Sequence, residues 1–247
     1  MRKREQADIL GCQVDVLTTA EAVAVVQEFI TRGQPAQVIT LNAEIVYQAQ
    51  HDSELRSIIN TADLVTPDGI GIVWGGRQLG YAIPERIAGI DLLHHLCRAA
   101  AVEAWKIYLL GSGPGIAEQA AEKMAADYPG LQICGTHHGY FQAADLPPII
   151  QEIKAREPQI LFVALGAPKQ EFWIKEHLQQ LGTPVCVGVG GSLDVIAGQK
   201  KRAPNWMIKL NLEWLYRLWA EPSRWQRQLV LPRFVILIFK RRWLEGH

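Results

Sequence analysis

Six short apolar runs recur along roughly the first 190 residues of the chain, and none of them alternates with polar residues. Uninterrupted apolar runs of this length predict strands that are covered on both faces, as in a parallel sheet. The predicted strands are 36–41, 63–67, 106–111, 131–135, 159–166 and 184–190. The predicted helices between them are 19–32, 88–104, 114–127, 146–156 and 168–181. This alternation predicts an α/β, Rossmann-like, doubly wound fold with a mostly parallel sheet and a ligand crevice at the carboxyl ends of the strands.

The pattern changes near residues 197–206, after which no further strand-like run with glycine turns follows. The remaining sequence indicates helix, interrupted at Pro222 and again at Pro232. We therefore expect an α/β domain over residues 1–198 and a helical appendage over residues 199–247.

The charge of the chain is unevenly distributed although its net charge is zero. From Gly198 onward there are eleven Lys and Arg residues and three acidic residues, so this part has a net charge of +8 and the remainder has a net charge of −8. Five of the eight tryptophans also lie there. Basic residues interleaved with tryptophan suit an anionic, partly apolar surface such as lipid headgroups. Nucleic acid is the alternative, because its phosphates attract the same charges.

Cysteine spacing and the N-terminal sequence indicate the compartment. The four cysteines are far apart and form no Cys-x-x-Cys pair, which favours reduced thiols in the cytosol. The N-terminus lacks the apolar core of a signal peptide, and no apolar run is long enough to span a bilayer. We expect a cytoplasmic protein.

No metal site is expected. The pairs His94–His95 and His137–His138 consist of adjacent residues, whose side chains diverge on a helix or a strand. There is no Asp-x-Asp sequence of the kind that holds a divalent ion on a diphosphate. If the chain handles a nucleotide sugar, protein cations must take the place of the ion, and arginines of the basic appendage are the candidates.

Two glycine-rich junctions follow predicted strands. Gly111, Gly113 and Gly115 open a helix, where backbone N–H groups can cradle a diphosphate. A dinucleotide fingerprint would need glycine in place of Ile116, and the alternative is a tight turn without a ligand. In the second junction, residues 187–198, Asp194 is either a first-turn acid or a ligand for a nucleotide base or ribose.

Polar side chains end several of the predicted strands. Thr40 and Asn42 lie at the end of one strand, Gln170 lies in the first turn of the helix after another, and Asp68 stands between Pro67 and Gly69. Asn42 can also be a helix cap and Asp68 a turn residue. Three strand ends with polar side chains nevertheless indicate a common crevice.

Several segments together resemble the WecG/TagA/CpsF glycosyltransferases (family 26). The resemblance runs from about Gly11 to Arg233, in order and at natural spacing, and does not reach the sequence beyond Arg233. Its segments are TLNAEIV, LVTPDGIGIVW, RIAGIDL, LLGSGPG, HHGYF, LGAPKQEFW, GVGGSLDVIAG and RAPNWMIKLNLEWLYRL.

This resemblance implies an inverting, metal-independent transferase that needs no cofactor. Its members move an N-acetylmannosamine-type sugar from UDP onto undecaprenyl-diphosphate-linked N-acetylglucosamine, for teichoic acid, enterobacterial common antigen or exopolysaccharide. The implied partners are a UDP-sugar, the polyprenyl-diphosphate-linked acceptor and the inner face of the cell membrane, with no nucleic acid, and we expect a peripheral homo-oligomer.

The resemblance also implies roles for individual residues. Asp68 would be the general base. Residues around the sugar would be Thr40, Asn42, Arg86 and Gln170. Tyr140 and Asp194 would lie by the nucleotide, beside the loop of Gly111, Ser112 and Gly113. Arg217, Arg224 and Arg227 would fold over the diphosphate.

Two rival functions are compatible with parts of the sequence. A nucleotide-dependent oxidoreductase would use the Gly111 loop, and a non-catalytic membrane adaptor would use the basic appendage. The identity of the sugar stays open between N-acetylmannosamine, its uronic acid and glucose, and a uronate would require an additional cation in the pocket.

Overall fold

A computed structural model describes residues 4–220 and 229–245. Its strands are β1 (Gln6–Ile9), β2 (Cys12–Asp15), β3 (Ala36–Leu41), β4 (Leu64–Pro67), β5 (Lys106–Gly111), β6 (Gln132–His137), β7 (Ile160–Ala164) and β8 (Val185–Gly188). Its first helices are α1 (Thr19–Arg32), α2 (Ala43–Ala49), α3 (Ser53–Thr61), α4 (Ile70–Gln78), α5 (Gly89–Glu103) and α6 (Ile116–Asp127). They are followed by α7 (Leu146–Arg156), α8 (Lys169–Leu181), α9 (Ser192–Ile196), α10 (Asn205–Lys209), α11 (Glu213–Ala220) and α12 (Val230–Glu245).

Six strands form one parallel sheet in the order β4-β3-β8-β7-β5-β6. Every residue of β3 and of β7 is buried, as expected for strands covered on both faces. Helices α1, α5, α6 and α9 contribute to the core on one face. On the other face α2, α3 and α4 cover one half of the sheet, and α7 and α8 cover the other. The predicted doubly wound α/β fold is confirmed.

The predicted elements match closely at most boundaries. Helix α1 and strand β3 have the predicted bounds, and the capping box of Thr18 and Glu21 is formed at the start of α1. Strand β6 extends two residues beyond the predicted 131–135. Helices α2 and α3 and the hairpin of β1 and β2 were not predicted, since each of these elements is short, with nine residues or fewer.

The hairpin of β1 and β2 is fixed to the end strand of the sheet by a buried carboxylate. Asp15 accepts a hydrogen bond from the backbone N–H of Val65 in β4, at 2.8 Å. Its other oxygen accepts from Nε of Arg4, at 3.0 Å. A buried charge is tolerated when it is paired and hydrogen-bonded in this way. The contact steadies the strand that leads into Asp68.

Helix α12 packs on the α/β domain, against α2 and α4. Phe234 and Ile238 are buried in the same core cluster as residues of β3 and β4. Gly75 of α4 makes this approach possible, because a Cβ atom there would lie 3.1 Å from Phe234 and 3.2 Å from Ile238. The sequence beyond Arg233, which the resemblance did not reach, therefore forms part of the core. No helix within the described ranges is both long and apolar enough to cross a bilayer.

Two isoleucines of α12 test this packing as a matched pair. Ile238 is fully buried, whereas Ile236 on the same helix is 65% exposed. We expect Ile238→Ala to lower the free energy of unfolding by about 2–5 kcal/mol, because it leaves a cavity. Ile236→Ala should change it by no more than about 0.5 kcal/mol. Chemical denaturation measures both values, and equal effects would show that α12 does not pack on the core.

Candidate active site

The carboxyl ends of the six parallel strands meet at one edge of the sheet, where two connected depressions open. The first, which we call the inner cavity, has a volume of about 180 Å³. The second, the outer groove, has a volume of about 700 Å³. Ligand sites usually measure about 300–1,000 Å³, so the outer groove has the volume of an ordinary ligand site and the inner cavity is smaller.

The two depressions have different linings. The polar residues of the inner cavity are Thr40, Asn42, Glu44, Asp68, Gln170, Ser192, Lys200, Lys201, Arg202 and Glu213. The polar residues of the outer groove are Ser112, Tyr140, Gln142, Lys169, Asp194 and Lys200. The predicted sugar residues Thr40, Asn42 and Gln170 thus lie with Asp68, and the predicted nucleotide residues Ser112, Tyr140 and Asp194 lie together beside them.

Asp68 is placed by the end of the β3–β4 pair. Its backbone N–H donates to the carbonyl of Leu41, at 2.8 Å, one residue past the end of β4. Gly69 then adopts φ 86°, in the left-handed region that favours glycine, and α4 begins at Ile70. This turn sets the half-buried Asp68 at the wall of the inner cavity. The turn interpretation and the reactive-group interpretation of Asp68 are therefore compatible.

Arg202 brings a positive charge near Asp68. Burial lowers the pKa of the Arg202 guanidinium, but the carboxylates of Asp91, Glu213 and Asp68 outweigh this effect and the pKa lies above its ordinary value. Arg202 therefore stays charged.

The neighbouring strand end contributes Thr40 and Asn42. The Thr40 hydroxyl donates to the carbonyl of Gly188 in β8, at 3.0 Å. Asn42 Oδ1 accepts from the backbone N–H of Ile45, at 3.0 Å, so Asn42 is the N-cap of α2. The capping interpretation of Asn42 is correct, and the same residue also lines the inner cavity. The cap uses only the carbonyl oxygen of the side chain.

Gln170 has its side-chain amide fixed by two contacts. Its Oε1 accepts from the backbone N–H of Gly190, at 3.0 Å, and its Nε2 donates to Oε1 of Glu171, at 2.9 Å. Both side chains are buried. Gly188 makes room for this arrangement, since a Cβ atom there would lie 2.7 Å from Nε2. Burial raises the pKa of the Glu171 carboxyl above its ordinary value, although the hydrogen bond from Gln170 acts in the opposite direction.

In the outer groove the two glycine-rich junctions meet. The Ser112 hydroxyl donates to a carboxylate oxygen of Asp194, at 3.0 Å. Gly113 also lines the groove, and Tyr140 stands at its rim, 76% exposed. Gly111 lies behind the groove, where a Cβ atom would overlap the carbonyl of Ala164 in β7. The close approach of β5 and β7 at this position therefore requires glycine.

Arg86 lies outside the inner cavity and contacts its wall. Its guanidinium pairs with Glu213 at 3.2 Å and with Asp91 at 3.7 Å. Arg202 makes two close contacts with Asp91, at 2.7 and 2.8 Å. We call Arg86, Asp91, Arg202 and Glu213 the ion-pair cluster. It joins the α/β domain to the segment that begins the predicted appendage.

The three arginines expected to reach the diphosphate are not placed by the structure. The backbone of Arg217 belongs to α11, and its side chain is not described. Arg224 and Arg227 lie outside the described residues. Among the described residues no group of three or more His, Cys, Asp or Glu side chains is arranged to hold a metal ion.

Sequence reasoning missed Glu44, Lys200, Lys201, Arg202 and Glu213 as lining residues of the inner cavity. The basic run from Lys200 to Arg202 was visible, but only as part of the charge of the appendage. Its position at the cavity depends on α9 and the turn after it, which return the chain to the sheet edge.

An α/β chain with a polar crevice at the carboxyl ends of a parallel sheet has the architecture of nucleotide-binding proteins. The sequence profile of the Glycosyl transferase WecG/TagA/CpsF family matches residues 7–247. The chain belongs to this family, and the match extends beyond Arg233.

Curated relatives are similar over most of their length. A protein of Bacillus spizizenii is 35% identical over 212 residues, which cover 86% of this chain and 82% of the relative. A protein of Staphylococcus aureus is 35% identical over 239 residues, which cover 96% of this chain and 93% of the relative. Both relatives are named N-acetylglucosaminyldiphosphoundecaprenol N-acetyl-beta-D-mannosaminyltransferase.

The buried Glu171 predicts a dependence of stability on pH. Its raised pKa means that folding favours the neutral carboxyl, so its contribution is present at low pH and is lost as the pH rises through the folded-state pKa. We expect Glu171→Gln to become progressively more stable relative to the wild type as the pH rises above the ordinary glutamate pKa of 4.5. A stability difference for Glu171→Gln that is constant with pH would contradict the assignment.

Proposed function

We propose that this chain is an inverting glycosyltransferase that moves an N-acetylmannosamine-type sugar from a UDP-sugar to undecaprenyl-diphosphate-linked N-acetylglucosamine. The observation that carries the proposal is the position of Asp68 in an inner cavity that opens into the outer groove. Family membership supports sugar transfer, and the names of the relatives support the acceptor and the transferred sugar. The product would serve teichoic acid, common antigen or exopolysaccharide synthesis.

Asp68 is proposed as the general base. The acceptor hydroxyl attacks the anomeric carbon opposite the departing UDP and gives its proton to the Asp68 carboxylate as the new C–O bond forms. The bond from the anomeric carbon to the β-phosphate oxygen breaks, and UDP leaves with the electron pair. Proton removal by a positioned base contributes about 10²–10⁴-fold in rate.

The donor is proposed to span both depressions. The sugar would occupy the inner cavity, beside Thr40, Asn42 and the fixed amide of Gln170. The nucleoside would occupy the outer groove, beside Tyr140 and Asp194. Arg86 would act through Glu213, which lines the cavity and pairs with it. A side chain held rigidly by its neighbours loses little freedom when a ligand binds, which favours the amide of Gln170 as a sugar contact.

Charge that develops on the leaving diphosphate requires positive groups in place before the reaction. We propose that Arg217, Arg224 and Arg227 supply them when the C-terminal part of the chain docks on the membrane. Exposed apolar residues interleaved with basic ones support such docking. In the described part of this region the exposed large apolar residues are Trp206, Leu210, Trp214, Leu215, Trp219, Leu229, Ile236, Phe239, Trp243 and Leu244.

This arrangement is proposed for the inner face of the cell membrane, where the lipid-linked acceptor would be reached from the cytoplasm. The expected homo-oligomer stays a prediction. Sedimentation of the purified chain measures it, and a monomer at all concentrations would contradict it.

Asp68→Asn tests the catalytic assignment. We expect this variant to keep its fold and its UDP binding while transfer falls by roughly 10²-fold or more, because the amide cannot accept the proton. Glu44→Gln removes another carboxylate from the same cavity and should have a much smaller effect. Release of UDP in the presence of donor and a short-chain lipid acceptor measures both rates. Near-normal turnover in Asp68→Asn would leave Asp68 only its role in the turn.

The arginines of the appendage are tested by substitution instead of truncation. Removing the chain from Lys200 onward would also remove Phe234 and Ile238 from the core. Replacing Arg217, Arg224 and Arg227 together by alanine should lower transfer to a membrane-bound acceptor by about tenfold or more, and the unfolding midpoint of the variant is the control for its folding. Undiminished transfer would exclude these arginines from the reaction.

A further inference from the structure

The junction between the inner cavity and the outer groove is the place where a donor's diphosphate must lie. If the sugar occupies the inner cavity and the nucleoside the outer groove, the diphosphate that links them crosses the junction. This step rests on the proposed function, because it assumes a nucleotide sugar as the ligand.

Four residues line both depressions and so define the junction: Gly166, Gly190, Gly191 and Lys200. A Cβ atom added at any of the three glycines would meet nothing within 4 Å. The backbone is therefore uncovered on the side of the junction, and the space that side chains would fill is open. Glycine-lined openings of this kind allow close approach of backbone to a ligand.

Lys200 is held at the junction by its backbone. Its N–H donates to the carbonyl of Asp194, at 3.1 Å, and the N–H of Gln199 donates to the same oxygen, at 2.9 Å. From α6, the Lys123 ammonium donates to the carbonyl of Ala197, at 2.7 Å. These contacts fix the turn after α9 at the groove. The backbone of Lys200, whose side chain is half-buried, is therefore held in a defined position.

Other cations of the described site are placed differently. Arg202 lines only the inner cavity. Lys169 lines only the outer groove and lies over the ring of Phe141, with 5.8 Å between Nζ and the ring centroid. Lys201 is exposed and lines only the inner cavity. Lys200 is the described cation that borders both depressions.

We propose that Lys200 binds the diphosphate of the nucleotide-sugar donor. An ammonium on a flexible stem acts as a mobile point charge that suits a phosphate whose position shifts during the reaction. The turn after α9 thus carries a phosphate-binding cation that is separate from Arg217, Arg224 and Arg227. The donor can then bind before the membrane-docked part of the chain completes the site.

The test compares ligands with and without phosphate. Isothermal titration of the full-length chain with UDP and with uridine is carried out on the wild type, Lys200→Ala and Lys154→Ala. We expect Lys200→Ala to weaken UDP binding by about tenfold or more, since a charge-assisted hydrogen bond is lost, and to leave uridine binding unchanged. Lys154→Ala removes the same charge from an exposed position of α7 that lines neither depression, and it should change UDP affinity by less than about twofold. Lys200→Arg should recover part of the lost affinity.

The possible failures are distinguishable. UDP affinity in Lys200→Ala equal to that of a wild type that binds UDP would overturn the role of Lys200 and leave the proposed function intact. Equal losses for UDP and uridine would also overturn it, because they would show a general disturbance of the groove. A wild-type chain that binds no UDP would overturn the proposed donor together with this inference.

Discussion

The parallel pairing of the six strands is the constraint on which the site depends. Because the strands share one direction, their carboxyl ends meet at a single edge, and segments far apart in sequence become neighbours. The hydrogen bond from the N–H of Asp68 to Leu41 continues the pairing of β3 and β4 into the loop. Gly188 and Gly190 of the next strand end contact Thr40 and Gln170. The inner cavity is therefore a consequence of strand order and register.

The same edge is stabilised by contacts that also fix polar side chains lining the two depressions. Asn42 caps α2, Ser112 is bonded to Asp194, and Gln170 is held between Gly190 and Glu171. Each contact satisfies a polar group that would be costly to bury alone. Such contacts also limit the motion of the lining side chains, and a preorganised site is what electrostatic stabilisation of a transition state requires.

The C-terminal part of the chain is joined to the α/β domain at two separate places. The ion-pair cluster holds the segment that contains Arg202 and Glu213 beside the inner cavity. Helix α12 packs through Phe234 and Ile238 against α2 and α4, which begin within two residues of Asn42 and Asp68. Docking of this part at a membrane would therefore act on helices that border the cavity.

Much of this arrangement could be predicted from the sequence, for reasons that particular residues make clear. Continuous apolar runs predicted the buried strands, and the interruptions at Pro67–Gly69 and Gly111–Gly115 predicted where polar groups and turns would meet the sheet edge. Asp68 and Asn42 were visible because each follows directly after a strand. The sequence did not reveal the positions of Lys200, Glu213 and Ile238, since these depend on how helices pack after the last strand. At Gly111, glycine is required by strand packing, and in the sequence this requirement looks the same as one imposed by a ligand.

Product analysis tests the central claim most directly. The purified full-length chain is incubated with a panel of UDP-sugars and a short-chain lipid-diphosphate N-acetylglucosamine, and the anomeric configuration of the product is determined by nuclear magnetic resonance. The account predicts transfer from UDP-N-acetylmannosamine, with one UDP released per sugar and an anomeric configuration opposite to that of the donor. Transfer with retained configuration, or no transfer from any UDP-sugar, would contradict it.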